Sequence, residues 1–322
     1  MKINKNFYRL YICLLIICLI GGSIVIYKQI FKHRQLVVSP LPNFLTFFAN
    51  DQVFTLNLWE PFFEMLEGNA SQNSTITAKS ALIYDLTSDR VLFSKNPKEK
   101  LPMASLTKIM TAIVALESAK NDNKYLVTKE NLVGENSMGL SEGEMLTLEE
   151  LLYGLILTSG NDAAEVLASN FPNGRGRFIN AMNDKAKAMG LKNTHFTNPT
   201  GLEGDGAQFT TAYDLLVITN YAMQSHLFKK VIKTFAHNIP YSQNHKAFYL
   251  ENETNLISSY PGVFGVKDGY TPEAGLCLVT YLNYKGHKII GILLGSDNRR
   301  QEMKDLLDYG LKLQGITPPP HG

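Results

Sequence analysis

The 322-residue chain is 45% hydrophobic and 19% charged, enough apolar material for one substantial core and unlike a disordered or collagen-like composition. Its formal net charge of +2 is spread over mixed Lys, Arg, Asp and Glu, with no dense basic patch onto which nucleic acid would condense. Nucleic acid is therefore not an expected partner.

The first element is residues 10–27 (LYICLLIICLIGGSIVIY), an uncharged run about long enough to cross a hydrocarbon core. A cleaved signal peptide would want a small-x-small site after a shorter stretch, but Gly21-Gly22-Ser23 is followed by apolar Ile24, Val25, Ile26 and Tyr27. Residues 1–34 are accordingly read as a cytoplasmic stub and an uncleaved transmembrane anchor. Charge does not orient it, because Lys2, Lys5 and Arg9 are balanced by Lys28, Lys32 and Arg34. Of three cysteines, Cys13 and Cys18 fall in this run and Cys277 stands alone, so no internal disulfide framework is expected.

Residues 35–74, where Pro40, Pro42 and Pro61 interrupt the pairs Phe47-Phe48 and Phe62-Phe63, read as a juxtamembrane linker. A folded domain is expected over 75–316, followed by a tail, 317–322, holding Pro318-Pro319-Pro320. Its first strands are SALIYDL and VLFSK, separated by the polar TSDR as a hairpin requires. A second β region lies far downstream, at residues 262–267 (GVFGVK), then LCLVTYLNY and HKIIGILLG joined by Lys285-Gly286. Helices fill the middle, and residues 299–313 read as a closing amphipathic helix. Strands at both ends with helices between predict an α+β domain whose antiparallel sheet draws on both ends of the sequence.

Three stretches carry the chemistry. Residues 102–108 (PMASLTK) open into IMTAIVALE, apolar on nearly every side, so that helix must be buried. A lysine there is costly when charged, and burial favours the neutral amine, which is a base. Ser105 precedes Lys108 by three residues, placing hydroxyl and amine on one helix face. The bland alternative is a capping serine and a snorkelling lysine. The second stretch, Thr158-Ser159-Gly160-Asn161, follows LTLEELLYGLIL, whose Thr147 and Glu150 spell a capping box; Gly160 suits its C-terminal end, putting Ser159 and Asn161 on a loop between helices. Third is Lys267-Asp268-Gly269-Tyr270-Thr271 at the end of a β run, where a glycine would let a substrate backbone approach. The seven histidines are scattered without a metal-ligand cluster, and no cofactor or metal is expected; His195 reads as a structural loop histidine.

In that order the three stretches resemble the S-x-x-K, S-x-N and K-T-G elements of the penicillin-recognising serine enzymes. Longer runs resemble the D-alanyl-D-alanine carboxypeptidase family in particular: IYDLTSDRVLFSKNPKEKLPMASLTKIMTAIVALE, GLSEGEMLTLEELLYGLILTSGNDAAEVLA, AMNDKAKAMGLKNTHFTNPTGL and GVKDGYTPEAGLCLV. The resemblance implies a β-lactamase/transpeptidase-like fold and a serine carboxypeptidase acting on peptidoglycan stem peptides that end in D-Ala-D-Ala, with β-lactams as inhibitors. It implies Ser105 as nucleophile, Lys108 as its base and Ser159 as proton relay. Asn161, Lys267, Asp268, Gly269, Tyr270, Thr271 and Arg300 would line the substrate site, with the Ser105 and Tyr270 amides forming the oxyanion hole.

Asp268 departs from the family pattern, which has a hydroxyl there to bind the substrate's terminal carboxylate; Arg300 is the cation expected to compensate. Endopeptidase action on crosslinks, a class A-like β-lactamase and a catalytically silent wall-binding protein are the alternatives. Family members often carry a further β-rich domain and a C-terminal anchor, whose place the N-terminal span would take. The substrate's location implies an extracytoplasmic domain on a single-pass anchor.

Overall fold

The computed structural model describes residues 76–321 apart from Asn255. The expected anchor (1–34) and linker (35–74) lie outside the described residues. Among the described residues, no helix is long and apolar enough to cross a membrane.

The first hairpin forms as the two β-rich runs flanking the polar TSDR predict, from β1 (Ser80–Asp85) and β2 (Arg90–Lys95). A 3-10 turn, Ala104–Leu106, then runs directly into α1 (Thr107–Glu117). A two-stranded ribbon of β3 (Tyr125–Leu126) and β4 (Met145–Leu146) precedes α2 (Leu148–Leu157). The chain continues through α3 (Asn161–Ser169), α4 (Gly174–Ala188), α5 (Ala212–Ala222) and α6 (His226–Ile232). A second ribbon, β5 (Ala236–Ile239) with β6 (Phe248–Glu251), and the short α7 (Leu256–Ser259) lead into β7 (Val263–Thr271), β8 (Gly275–Tyr284) and β9 (His287–Ser296). The last helix is α8 (Arg299–Leu313).

The main sheet is five-stranded and antiparallel throughout, in the order β2-β1-β9-β8-β7, so strands from the two ends of the domain meet at β1 and β9. Period-2 alternation sends Leu82, Tyr84, Ile290 and Ile292 into a large core shared with the helices. Their neighbours Ala81, Ile83, Ile289 and Leu293 enter a second core capped by Met303, Leu306, Leu307 and Leu311 of α8. Sheet order leaves β7 at an edge, and that strand continues past the expected end at Lys267 to Thr271, after a bulge between Gly265 and Lys267. The third sequence stretch is therefore strand along its whole length.

Helix α1 lies at the centre of the helical layer, packed against α2, α3, α4 and α5. Every residue from 107 to 115 is buried, which is why the segment carries no polar stripe. Burying Ile109 and Ile113 contributes roughly 1.5–3 kcal/mol each, which offsets the cost of enclosing Lys108 in the same element.

Candidate active site

Lys108 is fully buried, and its Nζ lies 2.8 Å from each of three oxygens: Ser105 Oγ, Asn161 Oδ1 and the Thr200 carbonyl. Burial, then the nearby Lys267 cation, hold its ammonium pKa well below the usual lysine range; Asp268, Glu253 and Asp162 oppose the shift. The neutral amine has two N–H donors and one lone pair. Thr200 O and Asn161 Oδ1 act as acceptors, so they take both N–H groups and leave the lone pair for the Ser105 hydroxyl. Ser105 is thus hydrogen-bonded to a group able to remove its proton.

The backbone around Ser105 is under local strain. Ala104, immediately before it, has φ +48°. Its carbonyl is pressed against Gly201, where an added Cβ would fall 2.0 Å from Ala104 O, and Gly201 itself has φ +91°. On the other side, a Cβ at Gly269 would lie 2.9 Å from the Ser105 nitrogen. Gly269 thus lets β7 close onto the nucleophile's own turn, a role the sequence reading assigned to substrate approach.

Thr147 and Glu150 form the expected capping box, with Thr147 N donating to Glu150 Oε2 at 2.8 Å and Glu150 N to Thr147 Oγ1 at 3.3 Å. The far end of α2 differs from expectation. Gly160 has φ −57°, and it is the buried Ser159 that takes the left-handed conformation, φ +55°. Such a conformation in a non-glycine residue costs on the order of 1–3 kcal/mol and collects at functional sites. Gly160 is small because of crowding: a Cβ there would meet Asp162 Oδ1 at 2.9 Å.

Asp162 organises the loop that backs this turn. Its Oδ1 accepts from Met138 N (3.0 Å) and Ala163 N (2.8 Å), and its Oδ2 from Ser137 Oγ (2.5 Å), Gly139 N (3.1 Å) and Leu140 N (3.0 Å). Asn161 N donates to Asn136 O at 2.8 Å, tying the residue that touches Lys108 to the same loop.

On β7, the fully buried Lys267 donates to Asp268 Oδ1 and to Asp268 O, each at 2.9 Å. The other carboxylate oxygen, Asp268 Oδ2, accepts from Arg299 at 2.6 Å, and Arg299 also donates to Gly269 O at 2.6 Å. Arg300, the expected partner, is exposed, one residue further around the first turn of α8. Burial alone would raise the Asp268 carboxyl pKa; Lys267 and then Arg299 more than offset it and leave it at about 2. Tyr270 is 61% exposed, while Thr271 is buried with its hydroxyl accepting from Ala274 N at 3.1 Å. Together, the Thr271 hydroxyl and the Glu273 amide hold the Glu203 carboxyl below its usual range.

Sequence reasoning missed four contributors: Asn198, Thr200, Asp162 and Arg299. Asn198 Oδ1 accepts from Thr200 N (3.2 Å) and Gly201 N (2.7 Å), a turn that presents the Thr200 carbonyl to Lys108, and the adjacent Pro199 carbonyl accepts from Thr111 Oγ1 at 2.7 Å. Its only signal was the string NPTG, whose Asn-Pro and Gly mark a turn without saying what its carbonyls bind. His195 sits in an isolated bridge with Phe209, consistent with a structural loop residue.

An antiparallel sheet with a helical insertion and a Ser–Lys pair at the base of a buried helix define the penicillin-binding/transpeptidase fold. The D-alanyl-D-alanine carboxypeptidase family matches residues 67–298, and the chain belongs to that family. It is 34% identical over 266 residues to D-alanyl-D-alanine carboxypeptidase DacF of Bacillus subtilis, covering 80% of this chain and 68% of the relative. A D-alanyl-D-alanine endopeptidase of Pseudomonas aeruginosa is 33% identical over 208 residues, covering 63% of this chain and 66% of the relative. Among solved structures, the Streptomyces K15 DD-transpeptidase superposes with a TM-score of 0.69 at 32% identity, covering 74% of this chain and 98% of that one.

Proposed function

We infer that the protein is a serine-type D-Ala-D-Ala carboxypeptidase that trims peptidoglycan stem peptides through an acyl-enzyme and is inhibited by β-lactams. The observation that carries the reading is the buried, pKa-depressed Lys108 hydrogen-bonded to Ser105 at 2.8 Å. Ser105 Oγ attacks the carbonyl of the penultimate D-alanine while its proton passes to Lys108 Nζ. The oxyanion is received by the backbone N–H groups of Ser105 and Tyr270, a pairing supported by the close approach of Gly269 to the Ser105 nitrogen. As the tetrahedral adduct collapses, the C–N bond breaks and the departing amine takes a proton by way of Ser159. Asn161 holds both Lys108 and the substrate amide. Water then attacks the ester carbonyl, losing its proton to Lys108; the acyl–Oγ bond breaks, Lys108 returns that proton to Ser105 Oγ, and the shortened peptide is freed. A β-lactam enters by the same attack, its strained amide opening onto Ser105.

For the chain as a whole, residues 1–34 serve as stub and membrane anchor, 35–74 as linker, 75–316 as catalytic domain and 317–322 as tail, with the catalytic domain on the extracytoplasmic side. The uncharged run at 10–27 and the location of peptidoglycan support this arrangement. Protease added to intact cells should digest the domain; a protected domain would contradict it. Endopeptidase action on crosslinks is a second reading, favoured by the similarity to the Pseudomonas aeruginosa protein so named. Full-length protein should release D-alanine from a peptide ending in D-Ala-D-Ala and lose that activity in Ser105→Ala. Equal release by wild type and Ser105→Ala would refute the assignment.

A further inference from the structure

A substrate seated on Ser105 places the carboxylate of its leaving D-alanine about one residue length, ~3.8 Å, beyond the scissile carbonyl. That charge must fall beside β7, because Gly269 packs directly on the Ser105 turn. The cations there are Lys267 and Arg299, and both are already occupied. Lys267 spends its Nζ on Asp268 Oδ1 and Asp268 O, and Arg299 its guanidinium on Asp268 Oδ2 and Gly269 O, with Cys277 O a longer 3.4 Å contact.

Asp268 therefore stands where an incoming carboxylate would find its counter-ions, with one oxygen on each. It is buried and, with a pKa near 2, stays ionised at every working pH. The remaining hydroxyl of the segment, on Thr271, is buried and accepts from Ala274 N at 3.1 Å. Glu253 adds a second carboxylate close enough to influence Lys108 and to feel Lys267, Asp268 and Arg299. The two cations thus already face Asp268 and Glu253 before any substrate arrives. Among the described residues, a free terminal carboxylate would meet cations already paired with Asp268, whereas an uncharged carboxamide carries no such penalty and can still donate to Asp268.

We propose that Asp268 is a specificity-determining residue that acts as a built-in counter-anion, so that this enzyme accepts leaving groups whose α-carboxyl is amidated at least as well as those ending in a free carboxylate. The proposal rests on the acyl-transfer reading above and names the leaving-group class of that same site. It covers both a terminal D-alaninamide and a crosslink whose amine donor carries a carboxamide beside the scissile nitrogen.

The test compares two peptides on the full-length protein, diacetyl-L-lysyl-D-alanyl-D-alanine and its C-terminal carboxamide, with D-alanine and D-alaninamide release followed by mass spectrometry. In the wild type, kcat/KM for the carboxamide should equal or exceed that for the carboxylate. In Asp268→Thr, which frees Lys267 and Arg299, the ratio should swing toward the carboxylate by about 10²-fold or more. Asp268→Asn, nearly the same shape, should swing it in the same direction and guards against a folding failure of the threonine variant. A wild type that cleaves the free carboxylate more than about tenfold faster than the carboxamide overturns the proposal and leaves the acyl-transfer reading standing. An unchanged ratio in a folded Asp268 variant also overturns it. If no form cleaves either peptide, the acyl-transfer reading fails and the proposal with it.

Discussion

Replacing Asp162 by Asn removes a charge without removing a shape, and the structure says what that should cost. Five donors converge on the carboxylate: Met138 N and Ala163 N at Oδ1, and Ser137 Oγ, Gly139 N and Leu140 N at Oδ2. An amide can keep only one of those oxygens. With Oδ1 retained, its NH2 group faces the Gly139 and Leu140 amides, donor against donor; Gly139 is exposed and also bonds Ser137 Oγ, but the Leu140 bond is buried. An orphaned buried amide costs about 1–3 kcal/mol, and the surviving bonds lose their charge assistance, so the total is about 2–4 kcal/mol. For a domain of this size that lowers Tm by about 5–15 °C, measurable by circular dichroism. Because Asn161 N is bonded to Asn136 O on the same loop, acylation of Ser105 should slow as well. A destabilisation below about 1 kcal/mol would refute the claim that this carboxylate holds the loop.

Other expectations follow from neighbouring contacts. Lys108 must be neutral to act, so activity rises as pH passes its pKa; Lys267→Gln removes a cation that lowers that pKa, and the acid limb of the kcat/KM profile should move to higher pH, while a limb that stays fixed contradicts the coupling. Asp268→Asn removes a charge that raises it, and the same limb should move to lower pH. Arg299→Leu strips Asp268 of one of its two cations and should cost about 3 kcal/mol in denaturant unfolding, whereas exposed Arg300→Leu should stay within about 0.5 kcal/mol; equal effects would undo the assignment to Arg299. Gly201→Ala would drive a Cβ into the Ala104 carbonyl from a backbone with φ +91°, and the resulting shift of Ser105 should slow acylation about 10²-fold.

Much of this fold was legible because its signals are local and repeated. β-rich runs separated by short polar turns marked β1, β2, β8 and β9, a spelled-out capping box started α2, and the unbroken apolar run of α1 made Lys108 conspicuous as a buried amine. The two ribbons were not legible: β3 and β4 are two residues each, too short for any period, and β5 (AHNI) carries no alternation. Choosing between Arg299 and Arg300 depends on which face of α8 turns toward β7, and adjacent helical residues differ by about 100°. Left-handed φ at Ser159 ran against local propensity, which favours the neighbouring glycine; the glycine was needed instead for packing against Asp162. Thr200 acts through its carbonyl, a group every residue possesses, so no side-chain chemistry could announce it.

The central claim is that Ser105 is the nucleophile that Lys108 activates, and the direct measurement is a covalent map. Full-length protein is incubated with a saturating β-lactam, digested and analysed by mass spectrometry. One β-lactam mass on the peptide holding Ser105, absent from Ser105→Ala and formed far more slowly in Lys108→Ala, is the predicted result. A label on any other residue, or one that persists undiminished in Ser105→Ala, would contradict it.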